Sequence, residues 1–207
     1  MKKKFCIIGI CILVLSDLNA KDISLSLNYL YIGAKGRYAL NIPKSLDSHG
    51  IGVQGNIRLK NSFYLLADAG YYFDSHYKTN ESTTSFVESY LSCSAINANF
   101  AYRIGGTKFS AFPYIGVGLF DEYAQQRYKS EGVGYQPGSG LPFGQGAPYD
   151  IIQKDHSIAV MGNIGLSVEY SVTDKIFLTG GIKYMADVYS SKYNAFPCLN
   201  VGLGYRF

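Results

Sequence analysis

The most constraining feature of this 207-residue sequence is an alternation of apolar and polar side chains that recurs along most of its length. Between Ile23 and Tyr29, for example, Ile, Leu and Tyr alternate with Ser and Asn. Successive side chains of a strand point to opposite faces, so a period of two predicts β-strands with one apolar and one polar face. Eight strands are predicted, over residues 22–34, 49–60, 62–77, 85–104, 108–124, 151–172, 175–189 and 194–207. Each covers the roughly 9–11 residues that a tilted strand needs to cross a bilayer.

The first twenty residues have the layout of a secretory signal peptide. Three lysines at positions 2–4 precede an apolar run from Phe5 to Leu15, and a short polar stretch follows it up to Ala20. The run is too short for a membrane helix, which needs roughly 17–25 apolar residues. Cleavage is therefore predicted after Ala20, which leaves 21–207 as one mature domain. An uncleaved anchor helix is the alternative.

The connections between the predicted strands alternate in length. Those at 60–61, 105–107 and 173–174 are tight, whereas 35–48, 78–84 and 125–150 are longer. Short turns at one end and longer loops at the other predict an antiparallel, up-and-down, eight-stranded transmembrane β-barrel. With the amino terminus in the periplasm, the tight turns would lie inside and the longer loops outside. The Gly- and Pro-rich segment 125–150 would then be the main displayed loop.

Alternation alone does not say which face is buried, because a soluble barrel or sandwich also alternates. Aromatic side chains near the predicted strand ends favour lipid around the apolar face, since such girdles suit the headgroup layer. The polar face is rich in glycine and carries charges that would line a narrow lumen, where they need partners. We predict a structural charge network inside the barrel, formed by Arg58, Asp68, Arg103, Glu169, Lys183 and Arg206.

Two segments resemble a known family. The segment Phe112–Phe120 (FPYIGVGLF) looks like a characteristic strand of the small eight-stranded outer-membrane barrels, which include the OmpA transmembrane domain, OmpX and the opacity proteins. The final segment Gly202–Phe207 looks like their carboxy-terminal signal, with Tyr205 and Phe207 read by the barrel assembly machinery. The resemblance implies residence in a Gram-negative outer membrane, among its lipid and lipopolysaccharide.

Other chemistry is weakly indicated. A net charge of +4 is too small to predict nucleic-acid binding. Cys93 and Cys198 fall on the fourth and eighth predicted strands, across the ring from each other, and are predicted to be unpaired. His49, His76 and His156 are predicted at the outer rim, with His156 too far round the ring for a shared metal site, so neither metal nor cofactor is predicted.

A hydrolytic reading rests on Asp155-His156-Ser157. Because adjacent residues on a strand face opposite sides, His156 and Ser157 would not meet, and no catalysis is predicted. We predict a monomeric, adhesin-like surface antigen that displays its loops, possible partners being host surface molecules. A lipid-modifying enzyme and a narrow porin-like channel are the alternatives.

Overall fold

The computed structural model describes residues 23–35, 45–80, 85–130, 149–189 and 195–207. The predicted signal peptide and the central parts of the predicted long loops lie outside these ranges. None of the described residues forms a helix long and apolar enough to span a membrane. The described residues form nine strands: β1 (Ile23–Lys35), β2 (Ser45–Lys60), β3 (Phe63–Asn80), β4 (Ser85–Tyr102), β5 (Ile104–Gly105), β6 (Phe109–Ser130), β7 (Tyr149–Ser171), β8 (Ile176–Asp187) and β9 (Ala195–Arg206).

The strands close into one antiparallel barrel. Neighbours in sequence pair with each other, β4 pairs with β6, and the first strand, β1, pairs with the last, β9. The two-residue strand β5 continues the course of β4 and pairs with β6, so eight strands surround the axis. Closure satisfies the backbone of every strand from its two neighbours, which a sheet in lipid requires. The predicted eight-stranded up-and-down barrel is confirmed.

The break between β4 and β5 lies opposite Pro113. The β4–β6 register ends at Ala101↔Tyr114 and resumes in β5 at Ile104↔Ala111. Proline has no N–H to give to a ladder, so one rung is lost where it enters the sheet. The chain beside the gap stays attached on its other side, because the Arg103 N–H donates to the Ser62 carbonyl at 2.7 Å. The irregularity is therefore local and leaves the closure intact.

The apolar face points outward, as predicted. Leu27, Ile115 and Ile164 are 60–65% exposed, whereas Asn163, next to Ile164 on β7, is only 3% exposed. Large apolar side chains are exposed in this way on all the strands that surround the axis, and on a closed barrel they have no protein partner. Hydrocarbon is the environment that suits such a surface. We call this surface the apolar belt.

The two ends of the barrel differ. At the turn end, short connections join β2 to β3, β5 to β6 and β7 to β8. At the opposite, loop end, β3, β4, β6 and β7 stay paired far beyond the belt, up to Ser85↔Ser130 between β4 and β6. We call these extensions (75–80, 85–92, 123–130 and 149–157) the loop-end wall. At roughly 3.3 Å per residue, the part from 123 to 130 adds about 25 Å of strand.

The predicted strand ends were too short at this end. The segments 125–130 and 149–150 were predicted as loop, but they belong to β6 and β7. Their outward side chains are polar, so the alternation that marks a strand in lipid is lost. The hydrogen-bonded ladder nevertheless continues to Ser130↔Tyr149.

Candidate functional site: a filled lumen and a polar wall

An ion pair crosses the middle of the lumen. Lys183 on β8 places Nζ 2.7 Å from Oδ1 of Asp68 on β3. The same carboxylate accepts hydrogen bonds from Asn97 Nδ2 at 2.7 Å and Asn99 Nδ2 at 3.1 Å. Asn163 on β7 then donates to Asn97 Oδ1 at 2.9 Å. Four strands on different sides of the barrel are thus tied together through one carboxylate.

A second ion pair lies nearer the turn end. Arg206 Nη2 is 2.9 Å from Glu169 Oε2, and Asn56 Nδ2 donates to the other oxygen of that carboxylate at 2.7 Å. Arg206 also donates to Ser171 Oγ at 2.7 Å and lies over the Phe177 ring, 4.9 Å from its centroid. Glu169 is only 4% exposed, so these donors replace the water that its charge has lost.

The remaining two arginines of the predicted network serve the turns. Arg58 Nε donates to the Asn61 carbonyl at 2.7 Å, in the β2–β3 turn. Arg103 donates from Nη2 to the Gly106 carbonyl at 2.8 Å and from Nε to Ser110 Oγ at 3.0 Å. The six charged residues therefore form two separate ion pairs and two turn contacts rather than one continuous array.

Large apolar side chains fill the lumen between the ion pairs and the loop end. The rings of Phe120 and Phe196 stack with centroids 5.5 Å apart, and each residue is 1% exposed. Met161 and Met185 pack into the same cluster. Sequence reasoning missed this layer, although the signal was present: these residues occupy the inward, polar register of β6, β7, β8 and β9 and are large.

The two cysteines lie in this apolar layer. Cys93 and Cys198 are both free, and they are only 2% and 3% exposed. Their strands, β4 and β9, lie on opposite sides of the ring. The prediction that they remain unpaired agrees with this placement.

Little free space remains inside. A cavity of about 30 Å³ lies beside Asp68, Lys183 and Asn28, which is room for about one water molecule. A second space of about 70 Å³ opens at the turn-end mouth, beside Arg103 and Arg206. Eight-stranded barrels have an interior that side chains can fill, and this one is filled.

Glycines make room for the polar layer. A Cβ atom at Gly118 would overlap Oδ1 of Asn97, and one at Gly116 would overlap Oδ1 of Asn99. The amides that bind the Asp68 carboxylate therefore occupy space that only glycine leaves free on β6. The glycine-rich polar face noted in the sequence is explained by this close approach.

The histidines face outward and do not meet. His156 Nε2 lies 2.5 Å from Asp121 Oδ1, while His76 stacks on Tyr90 with centroids 4.6 Å apart. His49 contacts the Tyr29 hydroxyl. Within the described ranges, no group of three or more His, Cys, Asp or Glu side chains could hold a metal ion.

A serine–histidine pair is also missing from the described contacts of His156. Ser94 Oγ donates to the other oxygen of Asp121 at 3.5 Å, so the hydroxyl touches the carboxylate rather than the imidazole. Ser157 lies opposite Glu122 in the register, and Glu122 is buried in the lumen. A nucleophile needs its base within hydrogen-bond reach, and this geometry does not provide it.

The loop-end wall carries paired charges on its outward side. Arg127 donates from Nε and Nη2 to the two carboxylate oxygens of Asp150, at 2.8 and 2.5 Å. This contact raises the pKa of the Arg127 guanidinium and lowers the pKa of the Asp150 carboxyl. Lys78 lies 3.8 Å from the centroid of the Phe86 ring and 3.7 Å from Glu88 Oε1.

A closed antiparallel barrel with an apolar exterior and a filled lumen defines this chain as an integral membrane β-barrel. No protein-family model and no curated protein matches the sequence. Among solved structures, it is similar to a major outer membrane protein from Thermus thermophilus, with 11% identity, a TM-score of 0.51, and 90% of this chain and 98% of that chain covered.

Two further similar structures are also outer-membrane barrels. The attachment invasion locus protein Ail of Yersinia pestis has 13% identity and a TM-score of 0.49, with 90% of this chain and 97% of that chain covered. The N-terminal β-barrel domain of Pseudomonas aeruginosa OprF has 14% identity and a TM-score of 0.47, with 91% and 98% covered. The fold is that of the small outer-membrane barrels which the sequence segments resemble.

Proposed function

We propose that this chain is a non-catalytic outer-membrane protein that displays its loop end at the cell surface. The single observation that carries the proposal is the asymmetry of the barrel. Four strands extend beyond the apolar belt at the loop end, up to Ser85↔Ser130, whereas tight turns close the opposite end. Long connections on one side and tight turns on the other match an outer-membrane protein whose loops face outward.

The interior supports display rather than transport. Two ion pairs and the stacked rings of Phe120 and Phe196 fill the lumen and brace opposite strands. A rigid scaffold holds its displayed segments at a fixed distance from the membrane, as binding loops on rigid scaffolds commonly require. The tight Arg127–Asp150 contact stiffens the displayed wall in the same way.

The partners are proposed from the chemistry of the wall. Lys78, Lys129 and Lys154 project near the outer edge of the apolar belt or above it, where lipopolysaccharide phosphates would lie. The hairpin tips beyond the wall are proposed to contact host surface molecules. Adhesion of cells that carry the full chain, compared with cells whose 131–148 segment is replaced by a short Gly-Ser linker, tests this second contact.

The orientation can be tested with single cysteines on intact cells. Lys154→Cys places a thiol on the loop-end wall, and Thr107→Cys places a matched thiol in an exposed turn at the other end. The native Cys93 and Cys198 are buried and give little background. An impermeant maleimide is expected to label only the Lys154→Cys variant in whole cells and both variants after lysis. Labelling of Thr107→Cys alone in whole cells would reverse the proposed topology.

A further inference from the structure

Each tight turn at the turn end carries one lysine. Lys60 ends β2, Lys108 immediately precedes β6, and Lys175 immediately precedes β8. The three turns are spread around the ring, because β2–β3, β5–β6 and β7–β8 are separated by other strands. We call these three residues the lysine ring.

The ladder fixes the height of these lysines. The Lys108 carbonyl accepts the Ser171 N–H at 2.8 Å, and the Lys175 carbonyl accepts the Arg206 N–H at 2.8 Å. Lys60 pairs with Phe63 in the last rung of β2 and β3. Each backbone is thus held at the final rung of the barrel, directly beyond the apolar belt.

Aromatic side chains place the ammonium groups on the lipid side. Lys108 Nζ lies 5.9 Å from the centroid of Tyr170, and Lys175 Nζ lies 5.9 Å from the centroid of Tyr205. Both tyrosines are outward-facing, at 45% and 42% exposed. Tyrosine at the edge of a lipid-facing surface sits at the headgroup level, so these cations lie at the depth of lipid phosphates.

The charges at this end are not balanced within the protein. Among the described residues, no ion pair includes Lys60, Lys108 or Lys175. The loop-end wall differs, because Arg127 pairs with Asp150 and Lys78 with Glu88. A ring of cations without carboxylate partners, held at headgroup depth, is complementary to an anionic lipid surface.

We propose that the lysine ring binds the phosphate groups of anionic phospholipids in the leaflet at the turn end. Each lysine would contact a phosphate from the edge of the aromatic girdle, and the three contacts together would set the depth of the barrel. The choice of phospholipid over lipopolysaccharide rests on the orientation proposed above, which places the turn end in the periplasmic leaflet. The affinity for anionic lipid in itself does not depend on that orientation.

The test measures lipid binding by the full chain, purified in a neutral detergent, with native mass spectrometry. The probes are phosphatidylglycerol, zwitterionic phosphatidylcholine and lipid A. The expected result is saturable binding of phosphatidylglycerol, weakened about fivefold for each lysine replaced by glutamine and lost in K60Q/K108Q/K175Q. The matched control K78Q/K129Q/K154Q removes the same charge from the loop end and is expected to bind phosphatidylglycerol as the unaltered chain does.

Each other outcome overturns the proposal. Unchanged phosphatidylglycerol binding by K60Q/K108Q/K175Q, equal binding of phosphatidylcholine, or a preference of the lysine ring for lipid A would each do so. Single variants and the charge-preserving K60R/K108R/K175R, which is expected to retain binding, provide the answer if the triple glutamine variant does not fold. Whole-cell labelling reports the orientation independently, so failure of the lysine ring and failure of the proposed function are distinguishable.

Discussion

Lys183 reaches across the barrel from β8 to Asp68 on β3, with Nζ 2.7 Å from Oδ1. The two residues are 115 positions apart in the chain and share only the lumen. Their side chains are 11% and 21% exposed, so the pair is shielded from bulk water. The contact therefore links two walls of the barrel that no backbone hydrogen bond connects.

Removing one partner of this ion pair should destabilise the barrel. Lys183→Met leaves the Asp68 carboxylate buried without its cation, and we expect a loss of about 3 kcal/mol in the free energy of unfolding. Urea unfolding in detergent or lipid vesicles measures it. The exposed Lys78–Glu88 pair is the control, since Lys78→Met should cost less than about 1 kcal/mol. Equal effects of the two substitutions would contradict a stabilising role for the luminal pair.

The glycines that face the lumen should not tolerate a side chain. Gly118→Ala places a Cβ against Asn97, and overpacking of this kind is expected to cost roughly 1–3 kcal/mol. Gly180→Ala is the matched control, because its Cβ would lie 3.7 Å from the nearest atom. The shift in gel mobility between folded and heated samples measures the folded fraction. The hypothesis fails if Gly180→Ala lowers that fraction as much as Gly118→Ala does.

The barrel is expected to be electrically silent. The stacked rings of Phe120 and Phe196 and the Asp68–Lys183 pair fill successive levels of the lumen. Recordings in planar bilayers should therefore show no reproducible conductance steps. Regular steps from the purified protein would favour the alternative of a narrow channel.

Lipid modification is expected to be absent. The contact of His156 is with Asp121, and the hydroxyl of Ser94 touches that carboxylate rather than the imidazole. Mass spectra of lipid A from cells with the gene, without it, and with a His156→Ala variant should therefore be the same. A lipid A species that requires both the gene and His156 would support the enzymatic alternative instead.

The Arg127–Asp150 pair predicts a local dependence on pH. Arg127 holds the pKa of Asp150 below its ordinary value of 3.8, so the contact contributes stability above that value and loses it as the pH falls through the lowered pKa. In Arg127→Gln, the pKa of Asp150 should rise towards the ordinary value. Carboxyl NMR titration of both forms measures the shift, with Lys154→Gln as a control that should leave it nearly unchanged.

The sequence predicted the fold more completely than the interior. The alternation around Leu27 and Ile115 is sufficient to predict an outward apolar face, because a strand has only two faces. It does not reveal that Phe120 and Phe196 stack across the lumen, since a large apolar residue in the inward register breaks the pattern without saying what it touches. Pairing of Asp68 with Lys183 depends on the register of the whole ring, and that register accumulates over several strand pairs.

The wall shows the opposite limit. Residues 125–130 have polar outward side chains, and sequence patterns assign such a segment to a loop. Their strand conformation comes from the ladder to β4 and β7 on both sides. Patterns within one segment cannot report a hydrogen bond donated by another.

The seam between β1 and β9 has a consequence for biogenesis. Leu27 pairs with Leu203, so the two margins of the sheet meet only when the last strand has been made. Until then, both margins offer open hydrogen-bonding groups to any other chain. Maturation must therefore be post-translational and cooperative, and a nascent copy depends on escort until its final segment arrives.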